Sequence, residues 1–109
     1  MIKRPENLLF EPLYLNFNKK VFLGLEIDLD HINKGKRSNL TIRDVTRIVL
    51  TELQFKILEP SGSRSFEPDN CDYFEIIFFL GPKKMKMVFC ICSDRPRTIG
   101  VITLYQVRY

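Results

Sequence analysis

From Lys84 to Cys92 the chain alternates: Met85, Met87, Phe89 and Ile91 make one side, and Lys84, Lys86, Val88, Cys90 and Cys92 the other. A period of two belongs to a strand with one face on a core, because successive side chains leave a pleated backbone in opposite directions. Gly81-Pro82-Lys83 reads as the turn before it, and Tyr73 to Leu80 is apolar on both sides, which predicts a central or covered strand. Ser93 to Arg97 is expected to be the next loop and Ile99 to Arg108 a last strand. The C-terminal part therefore reads as an antiparallel meander.

Upstream, Val21, Leu23, Leu25, Ile27 and Leu29 alternate with Glu26, Asp28 and Asp30, a half-buried strand in which Gly24 marks a bulge or a close approach. Leu8 to Phe17 is partly alternating, but Pro12 cannot donate to a ladder, so an edge strand or extended arm is expected, turned by Asn16 to Lys20. Residues 31–39, with Gly35 among them, read as a loop. Thr41-Ile42-Arg43-Asp44 has the form of a capping box, and Ile42, Val45, Ile48, Val49 and Leu53 recur at helical spacing, which predicts a helix over 41–53. Phe55 to Leu58 reads as a short strand and Pro60 to Ser65 as a loop. Strand, helix, then three or four strands predicts an α+β fold: one main helix packed on a twisted, curled antiparallel sheet of four to five strands. No repeat or linker divides the chain, so 1–109 is read as one domain, with 1–20 an N-terminal extension or edge hairpin and 21–109 the core.

A 45% apolar and 28% charged composition is that of a globular chain. No apolar run approaches the roughly 18 to 20 residues that cross a bilayer, and Glu6, Asn7 and Glu11 interrupt any signal-like N-terminus. No membrane partner is therefore expected. Cys71, Cys90 and Cys92 are odd in number, and Cys90 and Cys92, two apart on a strand, are poorly placed to bond each other. Free thiols acting as small hydrophobes in a reducing cytoplasm are expected. With one His and no Cys-x-x-Cys pair, no metal or other cofactor is expected.

The net charge of +4 is unevenly spread. Residues 31–47 hold Lys34, Lys36, Arg37, Arg43 and Arg47 against Asp44 alone, and 83–109 hold Lys83, Lys84, Lys86, Arg95, Arg97 and Arg108 against Asp94, with a predominantly acidic stretch between. Joined by folding, the two segments make a patch for a polyanion such as RNA. Kept apart, they are two solvated faces.

Gly-rich phosphate loops, Gly-x-Ser-x-Gly elbows and His-Glu-x-x-His pairs are missing. The residues present suit metal-free RNA cleavage, in which a base activates a 2′-hydroxyl, cations stabilise the phosphorane-like charge and an acid protonates the leaving oxygen. His31 is the candidate acid or base. Lys34, Lys36, Arg37, Arg95 and Arg97 are candidates to hold phosphate, joined by Arg43, Arg47, Lys84 and Lys86 as RNA contacts, and Tyr105 and Tyr109 to stack on bases or move a proton. Each has a plainer reading beside it. His31 serves a turn, the lysines keep a hairpin soluble, Tyr105 is core, and Arg37 and Arg43 pair with Asp28, Asp30 or Asp44.

Asp30-His31, Lys36-Arg37, Leu40-Thr41 and Asp44-Val45, followed by apolar strands and the closing Val101-Ile102-Thr103-Leu104-Tyr105, resemble the BrnT-like branch of RelE/ParE-type toxins over residues 27–109. The resemblance implies a RelE-like helix on a curled sheet and a cytoplasmic endoribonuclease of a toxin–antitoxin system, with His31, Arg37, Arg97 and Tyr105 catalytic and an antitoxin-like protein as partner, a homodimer being left open. Here the N-terminal extension to Lys20 is extra, and an early second helix is missing. The alternative, from another class, is a non-catalytic module that binds nucleic acid or a protein through its strands.

Overall fold

The alternating segments become six strands. In the computed structural model, which describes residues 8–34, 39–66 and 69–107, they are β1 (Leu9–Phe17), β2 (Lys20–Ile27), β3 (Gly62–Phe66), β4 (Asp69–Leu80), β5 (Lys83–Cys92) and β6 (Arg95–Gln106). Between β2 and β3 lie α1 (Leu29–Ile32) and α2 (Ile42–Leu53). Two of the hairpin turns use positive φ. Asn18 and Lys19 have φ of 52° and 62°, the left-handed pair that matches the twist of two antiparallel strands. At Gly81, with φ 62°, glycine takes the position that needs positive φ, and Pro82 supplies the fixed negative φ after it.

All six strands join one sheet in the order β1-β2-β6-β5-β4-β3. β1 and β2 form an N-terminal hairpin and β3 to β6 a meander, and the two meet where β2 runs parallel to β6, Gly24 to Ile27 lying beside Thr98 to Val101. This corrects the expected α+β fold of one main helix on an antiparallel sheet of four to five strands. Strand outweighs helix by 57% to 19%, and the sheet is six-stranded and mixed.

Three physical reasons account for the difference. A 12-residue helix is only about 18 Å long, and α2 rests mainly on β1 and β2 rather than across the sheet. Gly62 to Phe66 has a loop's composition but pairs with Asp69 to Tyr73, because an available neighbour overrides a weak strand propensity. Alternation, finally, identifies a strand but says nothing of which strand it pairs with or in what direction. The expected strand at Phe55 to Leu58 is instead irregular chain lying beside β1.

Leu15, Phe17, Phe22, Leu25 and Ile27 from the first hairpin meet Phe74, Ile76 and Phe78 of β4, Met85, Met87 and Phe89 of β5, and Ile99, Val101 and Leu104 of β6. The helices close this face with Ile32, Val45, Ile48, Val49 and Leu53. At the centre Phe74 and Phe89 stack at 5.2 Å, with Phe17 edge-on to both, a geometry that adds to the roughly 1.5 to 3 kcal/mol each buried ring contributes by leaving water. Thr41 starts α2 as expected, its hydroxyl accepting from the Asp44 N–H while the Asp44 carboxylate accepts from the Thr41 N–H. Gly24 is a close approach: a Cβ there would lie 2.5 Å from the Phe10 ring.

The cysteines differ from expectation. Cys71 and Cys92 are opposed across β4 and β5 and are bonded as a disulfide, with Cα atoms 4.0 Å apart. Cys90 keeps its thiol, its Sγ 3.9 Å from that of Cys92. Cys90 and Cys92 are indeed not bonded to each other, but the partner 21 positions away becomes visible only with the strand register.

Candidate functional site

The side of the sheet turned away from α2 carries most of the chemistry. Because Met85, Met87 and Phe89 point into the core, Lys84, Lys86 and Val88 must face the other way. The register then places Ile77, Lys86 and Tyr105 in one row across β4, β5 and β6, with Phe79 and Lys84 in the next row towards the turn, and Glu75, Val88 and Thr103 on the other side. Phe79 is 67% and Ile77 54% exposed, so this face is uncovered around them. Tyr73 to Leu80, with apolar residues on both sides, is expected to be central or covered and is neither: β3 pairs only Asp69 to Tyr73, so from Phe74 on, β5 is the neighbour β4 has among the described residues.

Within this patch Lys86 Nζ lies 3.3 Å from Glu75 Oε2. The hydrogen bond to Glu75, with Tyr105 beside it, raises the Lys86 pKa above the ordinary lysine value. A lysine shifted that way is a lasting cation rather than a base near neutral pH. Tyr105, half-buried in the row with Lys86, offers a ring beside that cation.

The helical side holds the other basic segment. α1 sends Ile32 into the core, leaving His31 exposed, with its backbone N–H donating to Asp28 Oδ1. Lys34 follows, also exposed. Arg43 and Arg47, one turn apart on α2, line a groove of about 460 Å³ with Glu11 of β1, Ile42, Thr46 and Leu50. Asp44, between them, is held below the ordinary aspartate value chiefly by the Thr41 backbone and hydroxyl, with Arg47 adding to the effect. Lys36, Arg37, Arg108 and Tyr109 lie outside the described residues.

The core sheet therefore separates the two basic segments. Lys84, Lys86 and Tyr105 are on the open face, whereas Arg43 and Arg47 are on the helix that covers the opposite one. Arg95 is engaged elsewhere, its Nη1 donating to both carboxylate oxygens of Glu26, and Arg97 is exposed near the start of β6. Arg97 and Tyr105 stand eight positions apart on β6, roughly 26 Å at the rise of a strand, so these two do not meet around one phosphate, while α1, which carries His31, lies against the same strand. Ile77 and Phe79 belong to the candidate site although the sequence pointed only to their neighbours. The signal was present in the apolar residues on both sides of β4, but burial was the default reading of it.

Comparison with protein-family models, curated proteins and solved structures gives no match.

Proposed function

We propose that this protein binds single-stranded RNA on its open sheet face, as a binding module rather than a nuclease. One observation carries the reading: exposed Phe79 and half-buried Tyr105 stand on strands flanking Lys84 and Lys86. Unpaired bases stack on aromatic rings, and lysines between those rings meet the phosphates that link successive bases. An open antiparallel face suits splayed single strands better than a duplex, whose bases are already stacked. Glu75, paired with Lys86, fixes the lysine's position while lowering the local positive charge.

Binding without cleavage fits the distance along β6 between Arg97 and Tyr105, and Lys86, with its pKa raised, stays a cation rather than a base near neutral pH. No helix among the described residues is long and apolar enough to cross a membrane.

The test is fluorescence anisotropy with labelled single-stranded and duplex RNA over a range of salt. Single-stranded RNA should bind more tightly, with a log-log salt slope of about −0.7 for each phosphate contacted. Phe79→Ala should weaken binding by the roughly 1 to 3 kcal/mol of one stacked base, and Lys84→Ala should flatten the slope. Wild-type affinity in both variants would remove the sheet face from consideration, and RNA fragments appearing in chelator would restore the cleavage reading.

A further inference from the structure

Phe55 breaks two rules at once. Its φ of 62° is a strained conformation for a bulky residue, and its ring is 78% exposed, so no buried contact compensates. Two positions on, Ile57 is 63% exposed. The segment is nonetheless well anchored. The Phe55 N–H donates to the Asn16 carbonyl at 2.7 Å and the Asn18 N–H to the Lys56 carbonyl at 2.8 Å. The Asn18 side chain then clamps Leu58, Nδ2 donating to its carbonyl at 3.0 Å and Oδ1 accepting from its N–H at 2.7 Å.

Those bonds tie the segment to the β1–β2 turn, where Lys19 and Lys20 are exposed, as is Lys56. Two apolar side chains and three lysines therefore share one tip at the β1 edge of the sheet, with Glu59 the exposed acid of the same segment. Among the described residues none of the three lysines is in a salt bridge. The tip lies at the opposite edge of the sheet from β4, away from the proposed RNA face.

We propose that Lys19, Lys20, Phe55, Lys56 and Ile57 dock the protein onto a membrane surface that carries anionic lipid. Phe55 and Ile57 enter the boundary between headgroups and acyl chains, and the lysines meet the negative headgroups around them. The complementarity is specific in kind: a soluble polyanion would use the lysines but leave two large apolar side chains in water. Docking of this sort needs no spanning segment.

The chain contains no tryptophan, so Phe55→Trp places a single fluorescent reporter at the tip. With phosphatidylcholine vesicles containing phosphatidylserine its emission should shift to the blue, and with phosphatidylcholine alone it should not. In co-sedimentation with the same vesicles, Phe55→Ser with Ile57→Ser should weaken binding at least about tenfold, and each Lys→Gln at the tip about fivefold. Lys84→Ala with Lys86→Ala should leave vesicle binding intact, which separates this site from the RNA face. An unshifted emission from the Phe55→Trp variant at low salt overturns the proposal. Binding that follows the lysines yet ignores the double serine variant also overturns it, leaving a plain polyanion site. Circular dichroism confirms that each variant is folded.

Discussion

Arg95 reaches Glu26 across 69 positions of sequence, one Nη1 serving both carboxylate oxygens, at 2.7 Å from Oε1. The pair spans the parallel contact between the N-terminal hairpin and the meander, so it joins two parts of the sheet that no short turn connects. Arg95→Ala should lower stability by about 0.5 to 1 kcal/mol, since the guanidinium is partly solvated. The loss should shrink in high salt, and RNA affinity should stay at the wild-type value. Urea denaturation at two salt concentrations, with a binding isotherm, measures all three.

Reciprocal bonding between Thr41 and Asp44 starts α2. Thr41→Ala should cost about 1 kcal/mol. The Asp44 pKa is lowered by folding, so its contribution is present above the unfolded aspartate pKa of about 3.9. It is lost as pH falls through the still lower folded value. The Thr41→Ala variant should therefore show a shallower loss of stability below about pH 4 than the wild type, read from thermal melts across acidic buffers.

Linking Cys71 to Cys92 closes a loop of 21 positions. Changing both residues to serine, or adding reductant, should cost about 3 kcal/mol through the freedom returned to the unfolded chain. Cys90→Ser should cost far less. Mass spectrometry after alkylation should find the label on Cys90 and a bridge between the other two peptides; a labelled Cys71 would contradict the pairing.

Phe55→Gly should stabilise the protein by up to about 1 kcal/mol, because glycine adopts positive φ without strain. The gain is reduced by the extra freedom glycine has when unfolded. If Phe55 is retained for membrane contact, the same variant should bind vesicles less well, a gain in melting temperature at the expense of docking.

Much of the fold was legible where one residue pattern had one structural solution. The Thr41 capping box with the Val45, Ile48, Val49 and Leu53 spacing located α2, and the alternation of Met85, Met87 and Phe89 around Gly81-Pro82 located the β4–β5 hairpin. β3 was not legible because Ser61-Gly62-Ser63 has turn chemistry, and its strand character is imposed by Asn70 to Tyr73 alongside it. The parallel meeting of Thr98 to Val101 with Gly24 to Ile27 left no local trace, since parallel and antiparallel neighbours call for similar side chains. For the candidate site, Lys84, Lys86 and Tyr105 were singled out from charge and aromatic content. Their separation from Arg43 and Arg47 depends on which face each strand turns to α2, and one-dimensional charge clustering carries no such information.

The parallel seam also bears on the order of synthesis. Because β2 is completed by Thr98 to Val101, the N-terminal hairpin emerges from the ribosome with one edge unmatched and waits for almost the whole chain before it is enclosed. Contacts so distant in sequence close late and slowly. During that interval Leu25 and Ile27 lack their neighbours Ile99 and Val101 on β6 and have only the helices to cover them.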